Sequence, residues 1–488
     1  MLNFRRGMWA AVAATMALAG WTSSAYADNG EAVKPVKPVK YVFLFIGDGM
    51  SIPQRMVTEQ YQKVVNDKGL LINAFESQGV TTTYAANHFI TDSAASGTAI
   101  ACGSKTNFGY LGVDPAGKPL ESVAELAHKN GRKVGIVTSV SLDHATPGAF
   151  YAHNASRGDY YNIAMDLINS GFDFFGGGGF LDENGKNTKE FHGNVFEVAE
   201  ENGYHVIRDK AQLMTLNSKS AGPVLAVAPR LADSNALPYA IDTRPEDISL
   251  ADFTRKAIDF LDNDNGFFLM VEGGKIDWVC HANDAAAVIH ELCAFDDAVN
   301  EAYQFARQHP DDTLIVVTGD HETGGLALGF AGTAYSSYLE RLQHQNISFI
   351  EFLNVFNAKK KEADFSFDKA KPLITEYFGL KFDGDEQDPM MVSAIEEQKM
   401  QAAFNRSMGD QSMPSGQDPH LLYGGYDPLT GSITHVLNNK AGVGWTSFDH
   451  TALPVATSAY GKNAESFSSM LDNTDIAKRL KPMVEKIN

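Results

Sequence analysis

Cysteine is scarce in this chain. It has three, Cys102, Cys280 and Cys293, in 488 residues. At most one disulfide can form, which excludes a disulfide-stapled scaffold. If Cys280 and Cys293 share one helix, thirteen residues hold them ~20 Å apart, beyond bridging distance. Long apolar runs are also few: after residue 20, no stretch is long and apolar enough to span a bilayer. Positive charge is in deficit, with 40 Lys and Arg against 60 Asp and Glu, a net of −20. Such a surface repels nucleic acid and anionic lipid. An anionic substrate then needs a local positive centre, which a cluster of bound cations supplies. Internal repeats and low-complexity tracts are missing, which excludes a repeat array.

The first residues read as a leader. Arg5 and Arg6 form a basic segment, residues 8–20 are mostly apolar, and Ala25-Tyr26-Ala27 has the A-x-A form of a signal-peptidase site. A secretory signal peptide over 1–27, cut after Ala27, is expected, and with it a periplasmic or secreted protein. An uncleaved anchor would need a longer apolar core. The paired arginines suggest twin-arginine export, but their surroundings match that signal poorly. Cleavage removes both arginines, takes the net charge to −22 and leaves 461 residues, ample for a large core. Residues 28–40, with "EAVKPVKPVK", read as an extended linker because alternating Pro and Lys resist helix.

Four near-continuous apolar runs follow: "KYVFLFIG" (40–47), "RKVGIVTS" (132–139), "GFFLMVEGG" (266–274) and "DTLIVVTGD" (312–320). Runs of this kind suit strands buried on both faces. Between them, 120–131 and 281–308 carry helical periodicity, the first closing at Gly131. The alternation predicts an α/β fold with a large, mainly parallel central sheet flanked by helices. Residues 331–440 look helical without intervening strands, so the division expected is a main domain of 41–330 and 441–488 carrying a mainly helical insertion at 331–440.

Chemistry-bearing residues cluster after the predicted strands. Asp48 follows the first, and His144 and Thr146 follow the second. Glu272, Asp277 and His281 end or follow the third, and Asp320 and His321 follow the fourth. In an open parallel sheet, ligands bind outside the carboxyl ends of the strands. Carboxylates and imidazoles are zinc ligands, and hard oxygen ligands also suit magnesium. Singly, each has a bland reading as a turn or a helix cap. Together they form an acidic cluster that is costly without a cation. The stretch "NHFITDSAASGTAIACG" (87–103) poses a separate question. Asp92 and Ser93 suit a capped helix start as well as a reactive serine, and Ser96 is a second candidate.

The ordered motifs "GDGM", "TDSAASGTA", "HATPGAFYAHNASR", "EGGKIDWVCH", "TGDHETGG" and "FDHTALPVATSAYG" resemble the alkaline phosphatase family from about Tyr41 to Tyr460. The resemblance implies hydrolysis of phosphate monoesters at alkaline pH, with a broad substrate range, through a phosphoserine on Ser93. It implies two zinc ions and one magnesium ion per chain. Asp277, His281 and His450 match the ligands of one zinc; Asp48, Asp320 and His321 match those of the second. Asp48, Thr146 and Glu272 match the magnesium ligands. Arg157, thirteen residues after His144, matches the guanidinium that clamps the phosphate, and Asp92, next to Ser93, is expected near the substrate. Metal coordination activates a serine, and an arginine fork matches two phosphate oxygens.

Two positions depart from the pattern. His144 stands where relatives carry Asp or His and is a candidate third-site ligand. Trp278 stands where others carry Lys or His; lacking a positive charge, it is expected to weaken phosphate retention and speed release. His88 is close enough in sequence to approach the site, His153 suits packing, and Cys280 has no place in a filled zinc site. The rival readings are a phosphodiesterase or sulfatase of the same superfamily, and a silent phosphate-binding scaffold. Thr146, Glu272 and Arg157 favour monoesters over diesters, and an intact Ser93 opposes the silent scaffold. Relatives are mostly homodimers, a state the insertion is placed to block or to create.

Overall fold

The four apolar runs become four adjacent strands. The computed structural model describes residues 38–410 and 418–486. The leader, its cleavage point and most of the linker lie outside them. In chain order the strands are β1 (Tyr41–Gly47), β2 (Ser77–Thr82), β3 (Lys133–Thr138), β4 (Phe174–Gly177), β5 (His205–Ile207) and β6 (Val224–Val227). They continue as β7 (Phe267–Gly273), β8 (Thr313–Gly319), β9 (Glu322–Thr323), β10 (His450–Thr451), β11 (Val455–Gly461) and β12 (Met470–Asp472). Ten form one sheet in the order β12-β2-β11-β8-β1-β7-β3-β4-β6-β5, and β9 pairs with β10 separately. Within the large sheet only β11 runs antiparallel to its neighbours, β2 and β8. The central block β8-β1-β7-β3 is the predicted set, and every residue of β1, β7 and β8 is buried.

Aromatic and aliphatic side chains of this block, among them Phe43, Phe45, Phe267 and Leu269, pack with the helices Leu250–Leu261 and Ala285–Gln308 into one core. A second core lies under the helices between residues 339 and 441, built on Phe352, Phe356, Phe378, Met400, Phe404 and Leu437. Among the described residues, no strand is found between β9 and β10, and no helix is long and apolar enough to cross a membrane.

The helix predicted over 281–308 is two. Lys275–His281 ends first, and Ala285–Gln308 begins after Asn283, whose φ is 51°, and Asp284, which caps Ala287 N. Asn tolerates the left-handed backbone and Asp caps the new helix, so "HAND" carries its own break. Cys280 and Cys293 thus lie on different helices; all three cysteines are free thiols.

Register sets the site. Gly47 at the end of β1 pairs with Gly319 of β8 and Gly273 of β7. Asp48 and Asp320 therefore leave adjacent parallel strands at the same level. Glu272 lies level with Ile46 on one side and Thr138 on the other.

Candidate active site

Three groups of ligand atoms converge at this edge, each with its members within 4.8 Å of one another: Asp277, His281 and His450; Asp48, Asp320 and His321; and Asp48, His144 and Glu272. Asp48, Glu272, Asp320 and His321 are completely buried. Gly49 makes the first turn possible: with φ at 71°, its N–H donates to Asp320 Oδ1 at 3.1 Å. A Cβ there would lie 2.8 Å from Asp277 Cα.

Backbone carbonyls orient the imidazoles. His281 Nδ1 donates to Phe448 O, and His450 Nδ1 lies 2.8 Å from Thr91 O. A carbonyl only accepts, so both rings carry a proton on Nδ1 and turn Nε2 inward, toward Asp277 at 3.4 and 3.6 Å. His321 Nε2 is 3.2 Å from Asp48 Oδ1, 3.3 Å from Asp320 Oδ2 and 3.2 Å from Ser93 Oγ. The His321 and His450 rings stack with centroids 3.6 Å apart. Thr323 Oγ1 donates to Asp277 Oδ1, and Thr138 Oγ1 to Glu272 Oε2. The motif reading gave these two threonines no role. Their signal lay in position, one at a strand end and one two residues beyond His321.

The protonation balance without cations is skewed. Burial, then the Asp320 charge, pushes Asp48 well above the carboxylate range. Burial, then Asp277, takes Asp320 up to about 7. Burial takes Glu272 up to about 8, against its bond from Thr138. Burial, then His450, keeps His321 neutral, and burial, then Arg157, brings His144 down to about 3. Asp277 moves the other way: burial opposes ionisation, but the His281 charge holds it well below its usual value. Asp48 Oδ1, Asp320 Oδ2, Glu272 Oε1 and His144 Nδ1 are buried without a hydrogen bond. Such atoms are expensive unless something else pairs with them. The donor set, imidazole plus carboxylate in two groups and carboxylate-rich in the third, fits divalent cations.

Ser93 is the first residue of the helix Ser93–Cys102. Asp92 caps it, accepting from Ala95 N and Gly109 N through Oδ1, while its Oδ2 takes Arg157 Nη1 at 3.0 Å. One carboxylate thus sets both the serine helix and the guanidinium. Ser96 Oγ donates to Asp320 O at 2.7 Å and accepts from Asn473 Nδ2, tying the helix to the end of β8. Thr146 follows the His144 cap, its hydroxyl 3.5 Å from Asp48 Oδ2. Trp278 lies near His144, ring centroids 6.1 Å apart. His153 is a structural residue, 2.9 Å from Glu125 and 2.8 Å from Gly112 O. His88 is exposed against Phe108, and Cys280 is in none of the three groups.

The fold and the site define an α/β enzyme in which carboxylates and imidazoles gather at the carboxyl edge of a parallel sheet, with a serine hydroxyl against His321 and a guanidinium held by the neighbouring Asp92. A family model described as alkaline phosphatase matches residues 39–486. Alkaline phosphatase 4 of Bacillus subtilis is 31% identical over 458 residues, covering 90% of this chain and 87% of that protein. The crystal structure of a cold-active alkaline phosphatase from a psychrophilic Shewanella gives a TM-score of 0.74 at 28% identity, covering 91% of this chain and 100% of the other. A variant of alkaline phosphatase from the Antarctic bacterium TAB5, solved with Mg bound in its M3 site, gives 0.62 at 25% identity, covering 93% and 100%. The chain belongs to the alkaline phosphatase family and is a phosphoric monoester hydrolase.

Proposed function

We propose that the enzyme hydrolyses phosphate monoesters through a phosphoserine on Ser93, with two zinc ions and one magnesium ion. The contact that carries this reading is Ser93 Oγ at 3.2 Å from His321 Nε2, inside the Asp48–Asp320–His321 group. Asp277, His281 and His450 would hold one zinc, and Asp48, Asp320 and His321 the other. Asp48, Glu272 and Thr146 would hold magnesium, with His144 beside them as a further ligand or a partner of the ion's water; the orphaned Glu272 and His144 atoms support a cation there, and the TAB5 structure with Mg in its M3 site is a variant with Asp in place of a His. Bound divalent cations supply Lewis-acid charge that lowers hydroxyl and water pKa values and stabilises a leaving oxygen.

The protein's own residues bind and align. The N–H groups at the start of the Ser93–Cys102 helix and its partial positive charge face the phosphate. Arg157, held by Asp92, offers its fork to two phosphate oxygens. Ser93 Oγ attacks phosphorus, the alcohol leaves in line, and water then releases phosphate and restores the serine. A broad substrate range follows from recognition centred on the phosphate. Export by the 1–27 leader to the periplasm or beyond, and assembly as a homodimer, belong to the same proposal.

Metal content by mass spectrometry, alongside activity after chelation and add-back, tests the metal assignment. Two zinc and one magnesium per chain, with activity lost on chelation and restored by both metals, is expected. Full activity in the chelated protein contradicts it.

A further inference from the structure

Arg157 ends a backbone strap that other residues hold in place. Residues 109–112 and 153–157 run side by side. Leu111 and Asn154 exchange N–H to carbonyl bonds of 2.8 Å, and Arg157 N donates to Gly109 O at 2.9 Å. Gly109 N donates to Asp92 Oδ1 at 3.1 Å, and Gly112 N to Thr98 Oγ1 at 2.9 Å, so the strap is tied to the cap and the body of the serine helix. The guanidinium itself has Asp92 as its one hydrogen-bond partner among the described residues. Where the strap lies therefore helps decide where the fork points.

His153 locks the other end of the strap. Its Nδ1 is 2.8 Å from Gly112 O, and its Nε2 is 2.9 Å from Glu125 Oε1 on the helix Val123–Lys129. Its backbone N–H donates to Asp166 Oδ2, on the helix Tyr160–Asn169, at 3.2 Å. Gly112 permits this approach: its φ is 61°, and a Cβ there would lie 1.9 Å from Ala152 O. A carbonyl and an ionised carboxylate both only accept, so both ring nitrogens donate and the ring is an imidazolium. The charges agree with the geometry. The bond to Glu125 raises the imidazole to about 9 against the opposing effect of burial, and Asp166 adds a further attraction. Burial opposes ionisation of Glu125, but its bond with His153 holds it below its usual value.

We propose that protonated His153 is a positioning residue for phosphate binding: it fixes the strap that aims Arg157, and losing its proton loosens the clamp. The proposal rests on reading Arg157 as the phosphate clamp.

The test measures the dissociation constant of the metal-loaded enzyme for inorganic phosphate by titration calorimetry, across pH. His153→Phe keeps a ring but removes both ring bonds. It should weaken phosphate about fivefold at about pH 7.5, where the wild-type ring is charged, and about twofold or less at about pH 10.5, where that ring has lost its proton. In an Arg157→Ala background it should cost nothing further, because the two residues act as one. Glu125→Gln keeps an acceptor for Ser122 N, and so the helix cap, but removes the charge that holds the proton on His153. Its deficit against wild type should peak near about pH 8, where one ring is charged and the other is not. A His153→Phe deficit of equal size at both pH values overturns the proposal, as does a full further loss in Arg157→Ala or a Glu125→Gln deficit without a peak. Arg157→Ala with wild-type phosphate affinity overturns the clamp reading itself, which separates the two failures.

Discussion

At the scale of the residue, economy in Asp92 and ambiguity in Trp278 stand out. Asp92 caps a helix and positions Arg157 with one carboxylate, so removing it disturbs nucleophile and clamp together. Trp278 brings no charge to a site that must hold a phosphate. Trp278→Lys should tighten inhibition by inorganic phosphate by at least about threefold, as expected for one added charge pair. Inhibition constants for the two proteins check this, and an unchanged constant removes the idea of phosphate release helped by Trp278. Asp48, His144, Thr146, Glu272, Asp277, His281, Asp320 and His321 were legible in sequence because each ends or follows an apolar run; His450 follows none and came only from the family resemblance. Thr138, Thr323, and the carbonyls of Thr91 and Phe448 were not legible, since they act by orienting others and depend on contacts between distant segments.

At the scale of the element, small residues bring the serine helix against its neighbour. A Cβ on Gly97 would lie 3.3 Å from Ala149 Cβ and 3.5 Å from Thr146 Cα. Gly97→Val adds further carbons to that contact, which overpacking of this kind penalises by about 1–3 kcal/mol. The expected outcome is a lower melting temperature and a higher magnesium concentration for half-maximal activity, because Thr146 moves. A variant with the wild-type magnesium requirement would show that the contact does not position Thr146. The central strands were readable because burial on both faces makes them apolar throughout. β2, "SQGVTT", and β11, "VATSAYG", were not, because their Thr and Ser side chains are buried in pairs: Thr81 and Thr318 both bond Thr457. The break at Asn283–Asp284 was written in the sequence but hidden under the periodicity of the long helix.

At the scale of the whole molecule, the site carries an electrostatic cost that the proposed cations would offset. Asp48, Asp320 and Glu272 all have raised pKa values, the last two about 7 and about 8. The folded, metal-free protein therefore holds protons that the unfolded chain has released. That contribution to stability is complete below about pH 4, the ordinary carboxyl range, and is lost as pH rises through the folded values. Asp284, Asp296 and Glu291 shift the same way by burial but lie outside the three ligand groups, so they act in both forms. The gap in melting temperature between metal-loaded and chelated protein should widen from about pH 5 to about pH 9. Calorimetry at a series of pH values checks this; a gap that is constant or narrows contradicts it.

The most direct measurement is acid quenching of the enzyme during turnover of a phosphate monoester, followed by mass spectrometry of the peptide spanning residues 87–103. The account predicts phosphate on Ser93, absent from the quenched Ser93→Ala protein and retained in Ser96→Ala. Phosphate on Ser96, or turnover with no phosphoserine under conditions that preserve one, would contradict it.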